Sequence, residues 1–418
     1  MAGQPHRPET QESPGTADAL PLSGVRVLDL SQALAGPFGS RILGDLGAEV
    51  LKVEQPGVGD SSRRFPPYFL EGESAYFLGM NRNKKGLTLN LKSEVGKEIF
   101  RKLVRVSDVV YENFRPGVMD RLGLGYGALK ELYPRIIYCS ISGFGTSGPL
   151  KDRPAFDGMI QAMGGAMSVT GFKGGPPALL GFPMGDVGGG LYAVQGVLAA
   201  LYAREQTGRG QEISISLLDV QIALQAHIGQ LFLASGKVPR PIGSSHETNV
   251  PIGAFQTRNG SYIEISCPTQ KFYENLAQVI SRLDGFGDLP CDPRFATPEL
   301  RLKHKAELDE VLAKAFATRG PEEWVEALDE GQVPSAKVNN LAEALSNPQV
   351  LHRKMVVEQD HPVSGKYKSA GNPIKMTQTE KEAFNPAPLL GQHNQEVLTG
   401  LLDYSPEEVE GFKREGVI

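Results

Sequence analysis

Cysteine is scarce in this sequence. Among 418 residues there are only Cys139, Cys267 and Cys291. An odd number of widely spaced thiols argues against a disulfide framework and for a reducing compartment, which places the protein in the cytoplasm. Long apolar runs are missing as well, and no window approaches the length needed to cross a bilayer. Charge of one sign is not in excess: 43 basic residues face 48 acidic ones, a net charge of -5. No global field therefore draws nucleic acid or an anionic membrane, and any anionic ligand must be held by local basic groups. The seven histidines are scattered without metal-ligand spacing. There is no H-E-x-x-H, C-x-x-C, P-loop or G-x-S-x-G elbow. Gly123-x-Gly125-x-Gly127 does not follow a strand as a dinucleotide fingerprint requires and reads as a helix-capping turn. Metal hydrolysis, serine hydrolysis and hydride transfer all lose ground.

What is present is an ordinary globular composition, 40% hydrophobic and 22% charged, with length enough for two or three domains. Residues 1–20 are rich in Pro, Glu, Gln, Ser and Thr and lack an apolar segment. Glu9, Glu12 and Asp18 are unlike a transit peptide, so this stretch reads as a disordered leader.

From there strands and helices alternate. Val25–Leu30 is an apolar strand, Pro37 can open a helix that Gly44 and Gly47 close, and Glu49–Glu54 is the next strand. Leu87–Leu91 reads as a strand, Ser93–Val106 as a helix, and Asp108–Glu112 and Ile136–Ile141 as further strands. This alternation predicts a parallel, doubly wound α/β domain whose ligand lies beyond the carboxyl ends of the strands. The domain is expected to run over residues 21–217, followed by a linker helix and loop over 218–244. The Asn259-Gly260 pair between Ala254–Thr257 and Ser261–Ile265 signals a hairpin. It opens a smaller α+β domain over 245–331, with helices around Lys271–Arg282, Lys303–Ala317 and Pro321–Glu330. Residues 332–418 are expected to return to the large domain, with strands at Ala336–Val338 and Met355–Glu358.

The loops after the first strands share a chemistry. Asn81-Arg82-Asn83-Lys84-Lys85, Asn90 with Lys92, Asn113-Phe114-Arg115 and Arg121 bring cations and amides to one edge, which suits phosphate oxygens, and Phe114 suits a purine face.

Asp186 stands out in a glycine-rich stretch, Gly185-Asp186-Val187-Gly188-Gly189-Gly190, just where the amphipathic run Leu191, Val194, Leu198, Leu201 begins. Aspartate at a helix start is commonly a cap. The same position also suits an exposed nucleophile, because unpaired N–H groups favour its charge and glycines allow close approach. The Gly-rich runs 171–177 and 188–190 are candidates for backbone donors or a lid, and His246, Arg63 and Arg64 for an acceptor-carboxylate contact.

These pieces together resemble the class III CoA-transferases, a family that includes formyl-CoA, carnitine and dicarboxylate CoA-transferases and the related α-methylacyl-CoA racemases. The resemblance rests on Gly24–Leu30 with Leu34-Ala35-Gly36-Pro37, Leu46–Val50 with Lys52-Val53-Glu54, and Asn81–Lys85. It continues through Glu112–Gly117, Ser142–Gly145, Met184-Gly185-Asp186, Thr207–Gln211 and Pro388–His393, in order from about Leu22 onward. It implies an interlaced homodimer of subunits with a Rossmann-like large domain and a small domain. It implies that Asp186 is the nucleophile and that Ala35, Asn90, Lys92, Asn113, Phe114, Arg115, Arg121 and Asp157 lie along the path of CoA. CoA enters as part of the substrate, with no permanently bound cofactor and no metal.

On that resemblance, CoA is expected to pass from an acyl-CoA, in the first place a dicarboxylic one such as succinyl-CoA, to a carboxylic acid through mixed-anhydride and aspartyl-CoA intermediates. Phe156 stands where the racemases carry a histidine base, which counts against racemisation. Leu34 and Gln55 replace the glutamine and arginine of formyl-CoA transferase. The remaining alternative is a catalytically silent acyl-CoA-binding protein, against which the retained Asp186 argues.

Overall fold

A computed structural model of the protein describes residues 20–283, 285–377, 379 and 384–418. The expected leader lies outside these residues except for Leu20. The chain divides into two compact units, the larger comprising residues up to Gly164, Gly181–Gly229 and Gln349–Ile418, the smaller Gly165–Leu180 and Gln230–Pro348.

The larger unit is built on six strands: β1 (Arg26–Asp29), β2 (Glu49–Glu54), β5 (Lys84–Thr88), β6 (Val109–Glu112), β7 (Ile137–Ser142) and β8 (Glu212–Ser216). A small ribbon, β3 (Phe69–Leu70) with β4 (Glu73–Ser74), precedes β5. The sheet order is β5-β2-β1-β6-β7-β8, and every pair is parallel. Successive side chains on a strand point to opposite faces, and the two cores follow that rule. Leu28, Leu51, Leu87, Val110 and Tyr138 pack on one face with Ile99, Phe100 and Leu103. Val27, Val50, Val109, Ile137 and Cys139 pack on the other with Leu43, Ala193 and Val197. The order reverses between β1 and β6, and a sheet of this kind opens a crevice there.

The helices in chain order are α1 (Ala35–Asp45), α2 (Ala75–Met80), α3 (Glu94–Arg105), α4 (Val118–Arg121), α5 (Tyr126–Leu132), α6 (Asp157–Met163), α7 (Ala166–Val169), α8 (Met184–Thr207), α9 (Leu217–Leu224) and α10 (Ala226–Ser235). Ser93 caps α3 by accepting from Gly96 N, as its sequence position leads one to expect. The amphipathic segment expected as one helix over Leu218–Ala234 is broken at Gln225, and no residue of α10 is buried. Among the described residues no single helix is long and apolar enough to cross a membrane, although α9 and α10 together pass by length and composition.

The strand expected at Leu87–Leu91 lies at Lys84–Thr88 instead. Its two lysines are tolerated in the sheet because acids meet them. Lys84 is buried against Asp29 at 3.0 Å, and Lys85 reaches Glu49 and Glu396, both at 2.8 Å.

In the smaller unit, β9 (Ile252–Gln256), β10 (Tyr262–Ser266) and β11 (Ser335–Lys337) form an antiparallel sheet in the order β11-β10-β9. Gly260, φ 83°, makes the predicted hairpin turn. Trp324, Phe316 and Phe295 fill its core. Pairing of β11 with β10 carries this unit past Gly331 to Pro348, and 165–180 joins it too, where the sequence reading had kept both stretches in the large domain. A last hairpin, β12 (Val356–His361) with β13 (Gly365–Ala370), belongs to the larger unit.

Candidate active site

Asp186 occupies the third residue of α8, whose N-cap is Pro183 with no side-chain cap of its own. The cap comes from elsewhere in the chain. Asp157 Oδ1 accepts from Gly185 N at 2.8 Å and from Asp186 N at 3.2 Å, and its Oδ2 accepts from Gln161 Nε2 at 2.6 Å. This corrects the expectation that the first N–H groups of α8 are free to steady Asp186. They are spent on a second carboxylate, and the consequence for Asp186 is the reverse of stabilisation. Burial, and then the negative charge of Asp157, push its carboxyl up to about 7.

The glycines around Asp186 serve packing. A Cβ on Gly190 would lie 2.7 Å from Ala35 O, one on Gly189 2.3 Å from Leu217 Cδ2, and one on Gly188 2.8 Å from Leu224 Cδ1. Gly188–Gly190 are therefore neither lid nor donor loop but the contact at which α8 meets α1 and α9. Gly185 is held by Asp157 in the same way, its Cβ position 2.9 Å from Oδ1.

Tyr76, on α2, carries no local signal that would single it out. It lies within electrostatic reach of Asp186, and burial followed by the charges of Asp186, Asp60 and Asp157 pushes its hydroxyl up to about 12. Its proton stays in place at neutral pH.

The loop from β1 to α1 is held from four directions. Asn113 grips Gln32 twice, accepting from its N at 2.8 Å and donating to its O at 2.9 Å. Asp60 accepts from Ala33 N at 3.1 Å, which helps to hold Ala33 at φ 63°, unusual outside glycine. Lys52 donates to Ser31 O at 2.7 Å and pairs with Asp60 at 2.9 Å, and Asp29 accepts from Ser31 N at 2.9 Å. Despite burial, which acts against it, the charges of Lys84 and Lys52 hold Asp29 down to about 2.

Beyond this loop a pocket of about 270 Å³ opens at the carboxyl ends of β1, β2 and β5. Asn90, Lys92, Phe114 and Arg121 line it together with Gln32, Gln55 and apolar Leu30, Val53 and Leu89. Four of the predicted contact residues thus share one cavity, two cations against an apolar wall. Arg115 does not join them: it borders a separate, smaller pocket with Glu112, Tyr126 and Tyr138. Asn113 has both ends of its amide on Gln32, so it fixes the loop instead of offering itself to a ligand. Ala35 is buried at the start of α1 against Gly190, and Asp157 lies under α8.

Several basic residues expected at the ligand are structural. Arg82 is buried and chelates Asp45 at 2.6 and 2.8 Å, and Lys84 belongs to Asp29. Arg63 grips Glu54 at 2.7 and 2.8 Å and lies 3.7 Å over the ring of Phe77. His246, exposed in the smaller unit, accepts from Thr248 N and Asn249 N of its own loop. Among the described residues no group of His, Cys, Asp and Glu is placed to hold a metal ion.

Comparison with known proteins identifies the family. The profile of CoA-transferase family III matches residues 22–394. The chain is 36% identical to the succinyl-CoA:glutarate CoA-transferase of Homo sapiens over 398 residues, 95% of this chain and 90% of that protein. It is 40% identical to the acetyl-CoA:oxalate CoA-transferase of Acetobacter aceti over 358 residues, 85% of this chain and 89% of that protein. In structure it superposes on a CaiB/BaiF family protein from Brucella suis with a TM-score of 0.83 at 34% identity, covering 92% of this chain and 100% of that one. With its parallel α/β sheet and the match running from before β1 to the start of the last two helices, this chain belongs to CoA-transferase family III and is a CoA-transferase.

Proposed function

We propose that the enzyme moves CoA from a dicarboxylic acyl-CoA, succinyl-CoA first, to a carboxylic acid, with Asp186 as the covalent nucleophile. The observation that carries this reading is a half-buried carboxylate, raised to about 7 by burial and the neighbouring Asp157, with the protonated Tyr76 in electrostatic reach and a cation-bearing pocket in the same unit. A carboxylate of that kind is poorly solvated and therefore more nucleophilic once ionised.

Its oxygen attacks the thioester carbonyl, the C–S bond breaks, and CoA leaves as thiolate with Asp186 held as a mixed anhydride. The thiolate then attacks the aspartyl carbonyl, the donor acid departs as carboxylate, and an aspartyl-CoA thioester remains. The acceptor carboxylate reverses these two steps and carries CoA away. We assign to Tyr76, within electrostatic reach of Asp186, the donation to the oxyanion of each tetrahedral stage, while Asp157 keeps α8 and its nucleophile in register. The pocket of Asn90, Lys92, Phe114 and Arg121 takes the nucleotide end of CoA, its phosphates against the two cations and its purine against Phe114.

The active form is a homodimer with interlaced, Rossmann-like subunits. The strand order supports the latter, and the bare face of α10, with Leu231 55% and Leu233 76% exposed, supports a covering subunit. The enzyme works in the cytoplasm, where Cys139, Cys267 and Cys291 stay free thiols. A second reading, an acetyl donor with oxalate as acceptor, is favoured by the 40% identity to the Acetobacter enzyme.

Incubation with succinyl-CoA followed by hydroxylamine or borohydride, then peptide mapping, tests the scheme. The adduct is expected on Asp186, and acyl-CoA binding without a mass change there would sink the covalent route. A matrix of succinyl-CoA and acetyl-CoA against glutarate, oxalate and related acids separates the two substrate readings.

A further inference from the structure

Away from Asp186, α1 carries a buried cation that pairs with no carboxylate among the described residues. Arg41 is 7% exposed. Among the described residues its one hydrogen bond runs from Nη1 to Gly79 O at 2.8 Å, and its guanidinium lies 4.9 Å over the ring of Phe38. Its Nε is buried without a partner. The nearest acid, Asp45, is committed elsewhere, its two oxygens taken by Arg82 and Asn83. Among the described residues, two arginines and one aspartate leave this buried cluster one positive charge in excess. Burial, and then the neighbouring Arg82, push Arg41 down to about 10 against the pull of Asp45, so it remains charged at neutral pH. A buried charge without a counterion is costly, and an anion bound beside it would offset that cost.

There is room for one. Arg41 lines a cavity of about 180 Å³ whose other walls are Leu78, Met80 and Tyr367, with Leu70, Lys368 and Ser369 nearer the solvent. At ~30 Å³ for a water in the liquid, that volume takes about six water-sized groups. Its lining combines two cations, Arg41 and Lys368, with the largely apolar Leu78, Met80 and Tyr367, a combination that suits a short aliphatic acid. We propose that this pocket is a second ligand site, binding a small monocarboxylate with its head on Arg41 and Lys368 and its tail against Leu78, Met80 and Tyr367. The site is carried by α1, the end of α2 and β13, and its existence does not rest on the assignment of Asp186.

Calorimetric titration and thermal unfolding with sodium butyrate test it, with chloride and inorganic phosphate at equal ionic strength as comparisons. The same titrations on Asp186→Asn remove any contribution from carboxylates meeting the nucleophile. In the parent and in Asp186→Asn, butyrate is expected to bind one site per chain and to raise the unfolding temperature to a plateau that chloride does not reproduce. Arg41→Met should abolish that rise. Lys368→Glu, an exposed change that does not threaten folding, should weaken butyrate at least tenfold and settles the matter should Arg41→Met fail to fold. A butyrate response that survives both substitutions, or that chloride matches in the parent, overturns the site. Phosphate binding as tightly as butyrate overturns the assignment to a carboxylic acid.

Discussion

Asp186 and Asp157 are two carboxylates joined through one helix start, and their pairing sets the pH behaviour of the enzyme. On the proposed mechanism Asp186 attacks in its ionised form, and burial with Asp157 raises it to about 7, so kcat is expected to rise with pH through a limb near 7. Asp157→Asn keeps an oxygen for Gly185 N and Asp186 N while removing the charge. Its limb should move acidward, toward the usual carboxylate range, and a pH–rate profile with the limb unmoved refutes the coupling. Asp186→Asn should lower kcat by at least about a thousandfold. The sign for stability follows from the same shift. Between about pH 4 and 7 the folded state keeps a proton that the unfolded chain has released, so the contribution of Asp186 to stability falls as pH rises through that window. Above pH 7, Asp186→Asn should therefore unfold at a higher temperature than the parent. At the pocket, Lys92→Ala or Arg121→Ala should raise KM for acyl-CoA about tenfold with kcat little changed, as loss of one charge-assisted contact predicts. The position of Asp186 at the start of a helix was legible from its glycine-rich stretch and the apolar run that follows. Tyr76 was not, because nothing in its own surroundings in the sequence shows that α2 returns to the nucleophile.

Among the elements, the contact between α1 and α8 is the one that places chemistry. Gly39 and Gly190 let the two helices approach until a Cβ at Gly39 would sit 2.2 Å from Tyr111 Oη and 2.8 Å from Gly190 O. Gly190→Ala should destabilise the protein by about 1–3 kcal/mol in urea unfolding. It should lower kcat as well, because the helix bearing Asp186 has to shift. Helix α3 was readable to within a residue from Ser93 and its apolar spacing, since caps and periodicity are local. Strand β5 was displaced in the reading because Lys84 and Lys85 look like loop residues until Asp29 and Glu49, far away in sequence, are seen beside them. The phosphate role expected for Arg82 failed for the same reason: its partner Asp45 is remote in the chain.

For the whole molecule, stability depends on charges inside the sheet as well as on the two apolar cores. Asp29→Ala would strand Lys84 and part of Lys52 in the interior, and a loss of about 3–5 kcal/mol is expected in denaturant titration. The alternation of strands and helices that foretold the parallel sheet is a repeating pattern and therefore visible. The division into units was less so, because the glycines and prolines of residues 171–177 mark a loop without showing that 165–180 joins the smaller unit. Sedimentation should give a particle of twice the 45.1 kDa chain mass, and a monomer at micromolar concentration would remove the explanation for the bare α10. The Asp157 cap also bears on the order of events in the proposed transfer. Resting enzyme holds two like charges in close quarters, whereas acylation of Asp186 makes that side chain neutral and dissolves the repulsion. On the proposed scheme, taking up the acyl group thus relaxes the protein locally, and that relief favours the neutral covalent intermediate until the acceptor acid arrives.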